Sequence, residues 1–467
     1  MSADLFMPAS DLVEAVLAAA GPSQPTVVIV EEGSEVEARF ARNTLTTNGM
    51  RRTRSVTVVS IDERPEGLAA GVVSRSGPVD PAQLVEAARA EATAAEIGED
   101  GAPLLTAPPQ HSDFADPPVM TGPAALTGIL GGLGNAFGRA ASRQSQLAGF
   151  AEHQVVTTYL GTSTGGRLRH VQPTGKLEMV ARSNDGSSSA WAGEGTPDMS
   201  EIDVDSFEQN LAERLRWASR KVELPAGRYD TLLPPEAVSD LMVAIMLFCA
   251  GGRDAADGRT VFSAQGGKTR IGERLSSLPF ELRSDPNEPG LECAPFQTVR
   301  ASTADDSVFD NGISLERTGW IEQGELRRLV YHRAGAEKAG VEPTPRVDNL
   351  VLELPGASGS IMDWVGDCRE RALLLTCFWY IRELDPVTFL LTGLTRDGVY
   401  LVEGGEIVGA VNNFRFNESP VDVLARASAC GATERTLGRE WNEYFRPTAM
   451  PPLRVPDFNM SSVSPAT

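Results

Sequence analysis

Histidine is scarce in this chain, with 4 in 467 residues. His111, His153, His170 and His332 are too far apart in sequence for any two to make a local metal pair. Each is read as a surface or hydrogen-bonded polar residue. Cysteine is also thin. The 5 present (Cys249, Cys293, Cys368, Cys377 and Cys430) are odd in number, dispersed and never spaced C-x-x-C. That argues against a disulfide framework and for reduced thiols in a cytoplasm. Positive charge is in deficit, 42 Lys and Arg against 63 Asp and Glu, for a formal charge of −21. Affinity for nucleic acid and anionic membranes comes mainly from Lys and Arg neutralising phosphate, so neither partner is expected. Long apolar runs are missing too. Leu241–Ala250 and Ala372–Ile381 fall short of the roughly 20 residues that span a bilayer. Met1 to Gln24 carries Asp4, Asp11 and Glu14 but no Lys or Arg, so the basic start of a secretory signal is absent. The expectation is a cytoplasmic protein.

What is present is ordinary globular material, 41% hydrophobic and 22% charged. The length exceeds the roughly 250–300 residues at which single cores stop growing, so two domains are expected. After a short helix near Ala9–Ala20, the strand-like runs Thr26–Glu31, Glu35–Asn43, Ser55–Ile61 and Leu68–Val73 predict a meander. Its breaks are expected at Glu32-Gly33, Asn48-Gly49 and Pro65-Glu66-Gly67. Pro81–Ile97 reads as a helix, and a second one spans about Pro123 to Phe150. Strands return at Glu152–Tyr159 and Arg167–Ala181, and Ser183–Ser200 reads as a loop or junction before a helix at Ser206–Lys221. Tyr229–Leu233 is a strand running into the helix Glu236–Ala250, and hairpins are signalled at Gln323-Gly324 and Gly404-Gly405. The fold class is α+β, in two domains. An N-terminal mixed sheet with flanking helices occupies 1–221, and a strand-rich domain with a buried helix occupies 222–467.

Local motifs give little chemistry. Gly266-Gly267-Lys268-Thr269 ends like a phosphate loop, but Phe262 stands where its first glycine belongs, so a plain loop is the better reading. The glycines from Gly131 to Gly138 miss dinucleotide spacing by one and follow no strand. No G-x-S-x-G elbow occurs, and Cys377 sits in a mostly apolar run that reads as core. Glu236 and Asp240 share one face near the start of an almost wholly apolar helix. They could hold a metal or do acid–base work, or simply favour the positive end of the helix dipole. The polar run from Asn412 to Glu418, with Asn413 and Arg415, could pair with a peptide backbone by strand addition or could cap strand ends.

Several stretches, in order along the chain, carry a family resemblance. They are Ala41–Gly49, Ser112-Asp113-Phe114-Ala115-Asp116, Phe309-Asp310-Asn311-Gly312 with the Gly319–Leu326 hairpin and Tyr331–Gly340, Tyr400–Ile407, and Pro451-Pro452-Leu453-Arg454-Val455. Together they resemble the TldD/PmbA family, also called modulators of DNA gyrase. The resemblance implies two-domain subunits that pair as TldD-like and TldE-like (PmbA) halves of a metallopeptidase acting on unfolded or small peptides. The TldD-like half carries H-E-x-x-x-H and a cysteine ligand near its C-terminus. Here the segment Leu232–Asp240 lies where that motif would fall. Glu236 remains, but Pro235 and Asp240 take the histidine positions, and Thr436–Pro452 has no cysteine. Cys430 lies upstream in a different-looking segment.

The chain therefore resembles the TldE-like subunit, as do its Cys377–Arg382 and Gly398–Pro420 stretches. The implied reading is a subunit with no catalytic residues and no metal of its own. It would be paired in a heterodimer with an H-E-x-x-x-H partner that carries the zinc, and Asn412, Asn413 and Arg415 are candidates for peptide binding. One rival is a free-standing peptide-binding or assembly protein (a homodimer) without hydrolysis. Another keeps acid–base chemistry on Glu236 or Asp240.

Overall fold

In the computed structural model, residues 7–106, 108–443 and 447–464 are described. The N-terminal part is built on one antiparallel sheet. Its strands are β1 (Thr26–Ala41), β2 (Thr44–Arg64), β3 (Gly67–Ser76), β4 (Ser145–Thr162), β5 (Arg167–Ser183) and β6 (Ser189–Thr196). They lie in the order β3-β2-β1-β4-β5-β6. Helices α1 (Ala9–Ala20) and α2 (Pro81–Ala94) cover one region of it, α3 (Thr127–Ser142) and α4 (Val204–Trp217) another.

β1 shows how sequence becomes layer. Its first part, Val27-Val28-Ile29-Val30, is apolar at every position because both faces are covered. Val28 and Val30 pack under α1 and α2, while Val27 and Ile29 meet Phe296, Val299 and Phe309 from the C-terminal part. From Val36 the pattern alternates, and Val36, Ala38 and Phe40 face α3.

Several boundaries differ from the sequence reading. β1 and β2 run unbroken through Glu32-Gly33 and Asn48-Gly49. Gly33 serves close approach, not a turn, since a Cβ there would lie 2.5 Å from Thr53 Oγ1. The reversal falls at Arg42 and Asn43, both at positive φ, with Asn43 bonded through its side chain to Ser145 and Leu147. α3 stops at Ser142, well before Phe150, because Ser145 onward pairs with β5. The expected loop Ser183–Ser200 contains β6, whose glycines hid a strand fixed by pairing to β5.

Beyond α4, and among the described residues, two larger sheets form. A ten-stranded sheet runs from an edge strand Trp379–Asp385 through Leu390–Leu394, Phe414–Glu418, Leu453–Val463 and β8 (Gly227–Leu233). It continues through Ala372–Leu375, Val399–Glu403 and Glu406–Val411 to β7 (Lys221–Val222) at the other edge, and the tenth strand, Ala429–Cys430, pairs off this path with Leu453–Val463. A six-stranded sheet includes Glu281–Ser284, Leu350–Glu353 and Thr448–Met450. Helix α5 (Pro235–Phe248) shares one core with both. Leu282 and Leu352 come from one sheet, Leu373, Leu375 and Phe416 from the other. Both expected hairpins are present, turning at Gln323-Gly324 and Gly404-Gly405. No described helix is long and apolar enough to cross a membrane.

Candidate functional site

β8 delivers the first turn of α5 into the molecule's interior, since it is paired on both sides, to Leu453–Val463 and to Ala372–Leu375. Pro235 is tolerated at the first helical position because its missing N–H has no intrahelical partner. The rest of the helix is buried almost throughout, so each polar side chain on it must find a partner within the protein.

Glu236 finds one across the sheets. Its Oε1 accepts from Arg214 Nη2 at 3.0 Å, and Arg214 Nη1 donates to the Trp191 carbonyl at 2.8 Å. The helix is thereby tied to α4 and β6. Asp240, one turn on, is fully buried. Its Oδ1 accepts from the Glu440 N–H at 2.8 Å, and its Oδ2 has no partner. Burial pushes its carboxyl up to about 8, despite the opposing pull of the Glu440, Arg439 and Trp441 backbone N–H groups. The nearby Glu440 charge adds to the rise. At neutral pH this residue is mostly a protonated acid. Glu236 and Asp240 thus start on one helical face and are committed to different partners.

The turn that covers Asp240 runs from Leu437 to Asn442. Gly438 is required there, because a Cβ would come within 2.7 Å of Asp240 Oδ1 and 2.9 Å of Ser239 Oγ. Next to it, the Arg439 guanidinium lies 3.2 Å from the Trp379 ring centre and 5.1 Å from that of Trp191. Arg439 Nη1 is 3.5 Å from Asp397 Oδ2. Glu440 accepts from the backbone N–H groups of Tyr380 and Ile381, both at 3.0 Å. Arg439, Asp397, Trp379, Trp191 and Arg214 were not singled out from sequence. They are spread from 191 to 439, and no local spacing signals their convergence.

This arrangement does not fit a divalent metal. Pro235 offers no donor atom and Glu236 is held by a guanidinium, which leaves Asp240 as a single carboxylate where a metal site needs three or four protein ligands. Among the described residues, no three His, Cys, Asp or Glu side chains gather closely enough to hold an ion.

Asn412 and Asn413 lie elsewhere, lining a cleft of about 450 Å³ beside β7. Asn412 Oδ1 accepts from Leu224 N at 2.7 Å. Arg415 is not brought to this cleft. It sits on Phe414–Glu418, a strand paired on both sides, and donates to Thr392 Oγ1 at 3.3 Å. The three candidates therefore do not form one strand-adding edge.

The remaining motifs find structural roles. His153 is bonded to Thr121 and the Pro197 carbonyl, and His332 caps a short helix through Gly335 N. His111 is bonded to the Arg169 carbonyl and His170 to Gln172. Gly266 and Gly267, both at positive φ, lie in the turn of a short hairpin that pairs Ser263-Ala264 with Lys268-Thr269. All five cysteines are buried and free, and burial pushes the Cys377 thiol up to about 12.

Residues 226–462 match the sequence family described as the PmbA/TldA metallopeptidase C-terminal domain. No curated protein matches the sequence. Among solved structures, TldE from Thermococcus kodakarensis superposes with a TM-score of 0.76 at 16% identity, covering 96% of this chain and 98% of that one. A candidate modulator of a DNA gyrase from Thermotoga maritima gives 0.74 at 16% identity, covering 96% and 99%. One from Bacteroides thetaiotaomicron gives 0.73 at 15% identity, covering 97% and 98%. At these identities the structural likeness concerns the fold.

Proposed function

This chain belongs to the TldD/PmbA family, and from that premise we propose that it is the TldE-like subunit of a heterodimeric zinc metallopeptidase acting on peptides or unfolded protein segments. A TldD-like partner with H-E-x-x-x-H would supply the zinc and the bond-breaking site. This subunit would complete the complex and contribute to peptide binding. The observation that carries the reading is the fate of α5. The positions where the family resemblance calls for metal ligands hold a proline and a buried acid, and the intervening Glu236 is tied to Arg214.

The test is co-expression with an H-E-x-x-x-H paralogue, followed by metal analysis and peptide hydrolysis on each subunit and on the pair. The expected result is a stable 1:1 complex, with zinc and hydrolysis in the complex and neither in this chain alone. Stoichiometric zinc with hydrolysis in the isolated chain would overturn the reading. So would a homodimer that ignores the paralogue.

A further inference from the structure

β2 is paired along only part of its outer edge. Ser55 to Arg64 are matched to β3, and that ladder ends where Gly77 N donates to the Arg54 carbonyl at 3.1 Å. From Thr44 to Thr53 the strand pairs with β1 alone, and every residue of this run is exposed. Two hydrogen bonds fix which backbone groups point outward. Ile61 N donates to the Pro25 carbonyl, so the odd-numbered residues of β2 bond to β1. Gly77 N meets Arg54, so the even-numbered residues point the other way. The register to β1 runs without a shift from Ser60 to Thr47. Arg52, Met50 and Asn48 therefore direct their N–H and carbonyl groups into the lane that β3 leaves at Gly77. Among the described residues, no strand occupies that lane. Such an edge is a template for another strand, and neither a proline nor shortness protects it. Its one guard is charge, and that charge has a sign.

The side chains define what fits. Val36, Ala38 and Phe40 of β1 pack under α3 and α4. Met50, opposite Val36, is 52% exposed, and Leu45, opposite Phe40, is 45% exposed. The apolar stripe thus runs one strand beyond its cover. Arg52 lies on the same face, exposed and without an ion pair among the described residues. Arg51, on the opposite face, is paired with Glu35 at 2.7 Å. The run Thr44–Thr53 holds two arginines and no acid, in a chain whose net charge is −21. A second copy of this edge would bring its own arginines into the same lane. An acidic strand would neutralise Arg52 and could cover Met50.

We propose that the free edge of β2 docks an extended acidic segment of a partner polypeptide, which adds as an antiparallel strand in the lane of β3. The segment carries an acidic residue opposite Arg52, an apolar one two positions later opposite Met50, and a polar one two further on opposite Asn48. This surface is separate from α5 and its covering turn, and the inference does not rest on the zinc-bearing partner proposed above.

The experiment uses the full-length chain and three fluorescent, end-capped decapeptides. One repeats Glu-Thr-Val-Thr, the second has Lys in place of Glu, and the third is the acidic peptide N-methylated at alternate residues. Affinities are measured for wild type, Met50→Pro and Arg52→Glu. Met50→Pro removes an N–H that β1 does not use, so the inner ladder is kept and the melting temperature is expected to stay near that of wild type. The acidic peptide is expected to bind at least about 10-fold tighter than the Lys peptide, with the preference shrinking as salt is raised. Arg52→Glu should weaken acidic-peptide binding about 10-fold, and Met50→Pro or N-methylation should abolish it. Residue-resolved hydrogen exchange should show new protection at Asn48, Met50 and Arg52 when the acidic peptide is bound. Equal binding of both charged peptides, binding that survives Met50→Pro and N-methylation, or no binding of the acidic peptide would overturn the proposal. A dimer of the isolated chain that Met50→Pro dissolves would make the occupant a second copy and overturn it equally. If Met50→Pro fails to fold, Arg52→Glu and the exchange pattern decide.

Discussion

Asp240 shows how a single buried side chain fastens a helix to the turn that covers it. A buried carboxyl, held by the turn that closes over it, fastens α5 to Leu437–Asn442. Burial raises its folded-state value from 3.8 to about 8, so the native state holds the proton more tightly than the unfolded chain. The stability linked to this proton is complete below the ordinary carboxyl value. It is lost progressively as pH rises toward about 8, and then levels off. Asp240→Asn keeps the acceptor for Glu440 N and removes the ionisation. Chemical denaturation should find the stability difference shifting in the variant's favour steadily from about pH 4 to pH 8 and constant above that. A parallel decline of both proteins with pH would show that Asp240 does not titrate as argued.

The elements divide into those announced by local pattern and those imposed by pairing. α1 and α5 are visible as apolar, helix-length runs, and β8 as a strand bounded by turn residues. β6 and the first residues of β4 are not, because only the neighbouring strand makes them extended. Within α5, Glu236 is bound to Arg214 at a position where the two side chains are 16% and 11% exposed. Glu236→Gln should therefore cost about 1–3 kcal/mol in urea unfolding, by weakening a largely buried charged hydrogen bond. Activity of the partnered complex should be unchanged. A loss of turnover with unchanged stability would instead give Glu236 a chemical role.

On the scale of the whole molecule, Arg439 joins the two halves of the chain. It lies between Trp191 of β6 and Trp379 of the ten-stranded sheet, and it shares Asp397 with Arg396. Close by, the buried Lys176 of β5 donates to Asn442 Oδ1 at 2.7 Å. Arg439→Ala should lower stability by about 3 kcal/mol, since it removes one of the two cations facing a buried carboxylate and the guanidinium packed on two indoles. It should also speed limited proteolysis around residues 218–226, between α4 and β8. An unchanged urea midpoint would show that the apolar contacts of Val27 and Ile29 with Phe296 and Phe309 hold the halves together alone.

By itself the sequence determined the α+β class, the buried character of α5, both tight hairpins and the absence of imidazole from the expected ligand positions. These are properties of residue type and local period, which chain connectivity alone preserves. Only the tertiary structure decided that Glu236 meets Arg214, that Asp240 lies under Gly438, and that Asn412 shares a cleft with Tyr400 while Arg415 does not. Those meetings join residues far apart in the chain. Burial, which raises the carboxyl of Asp240, exists only once the sheets have closed around it.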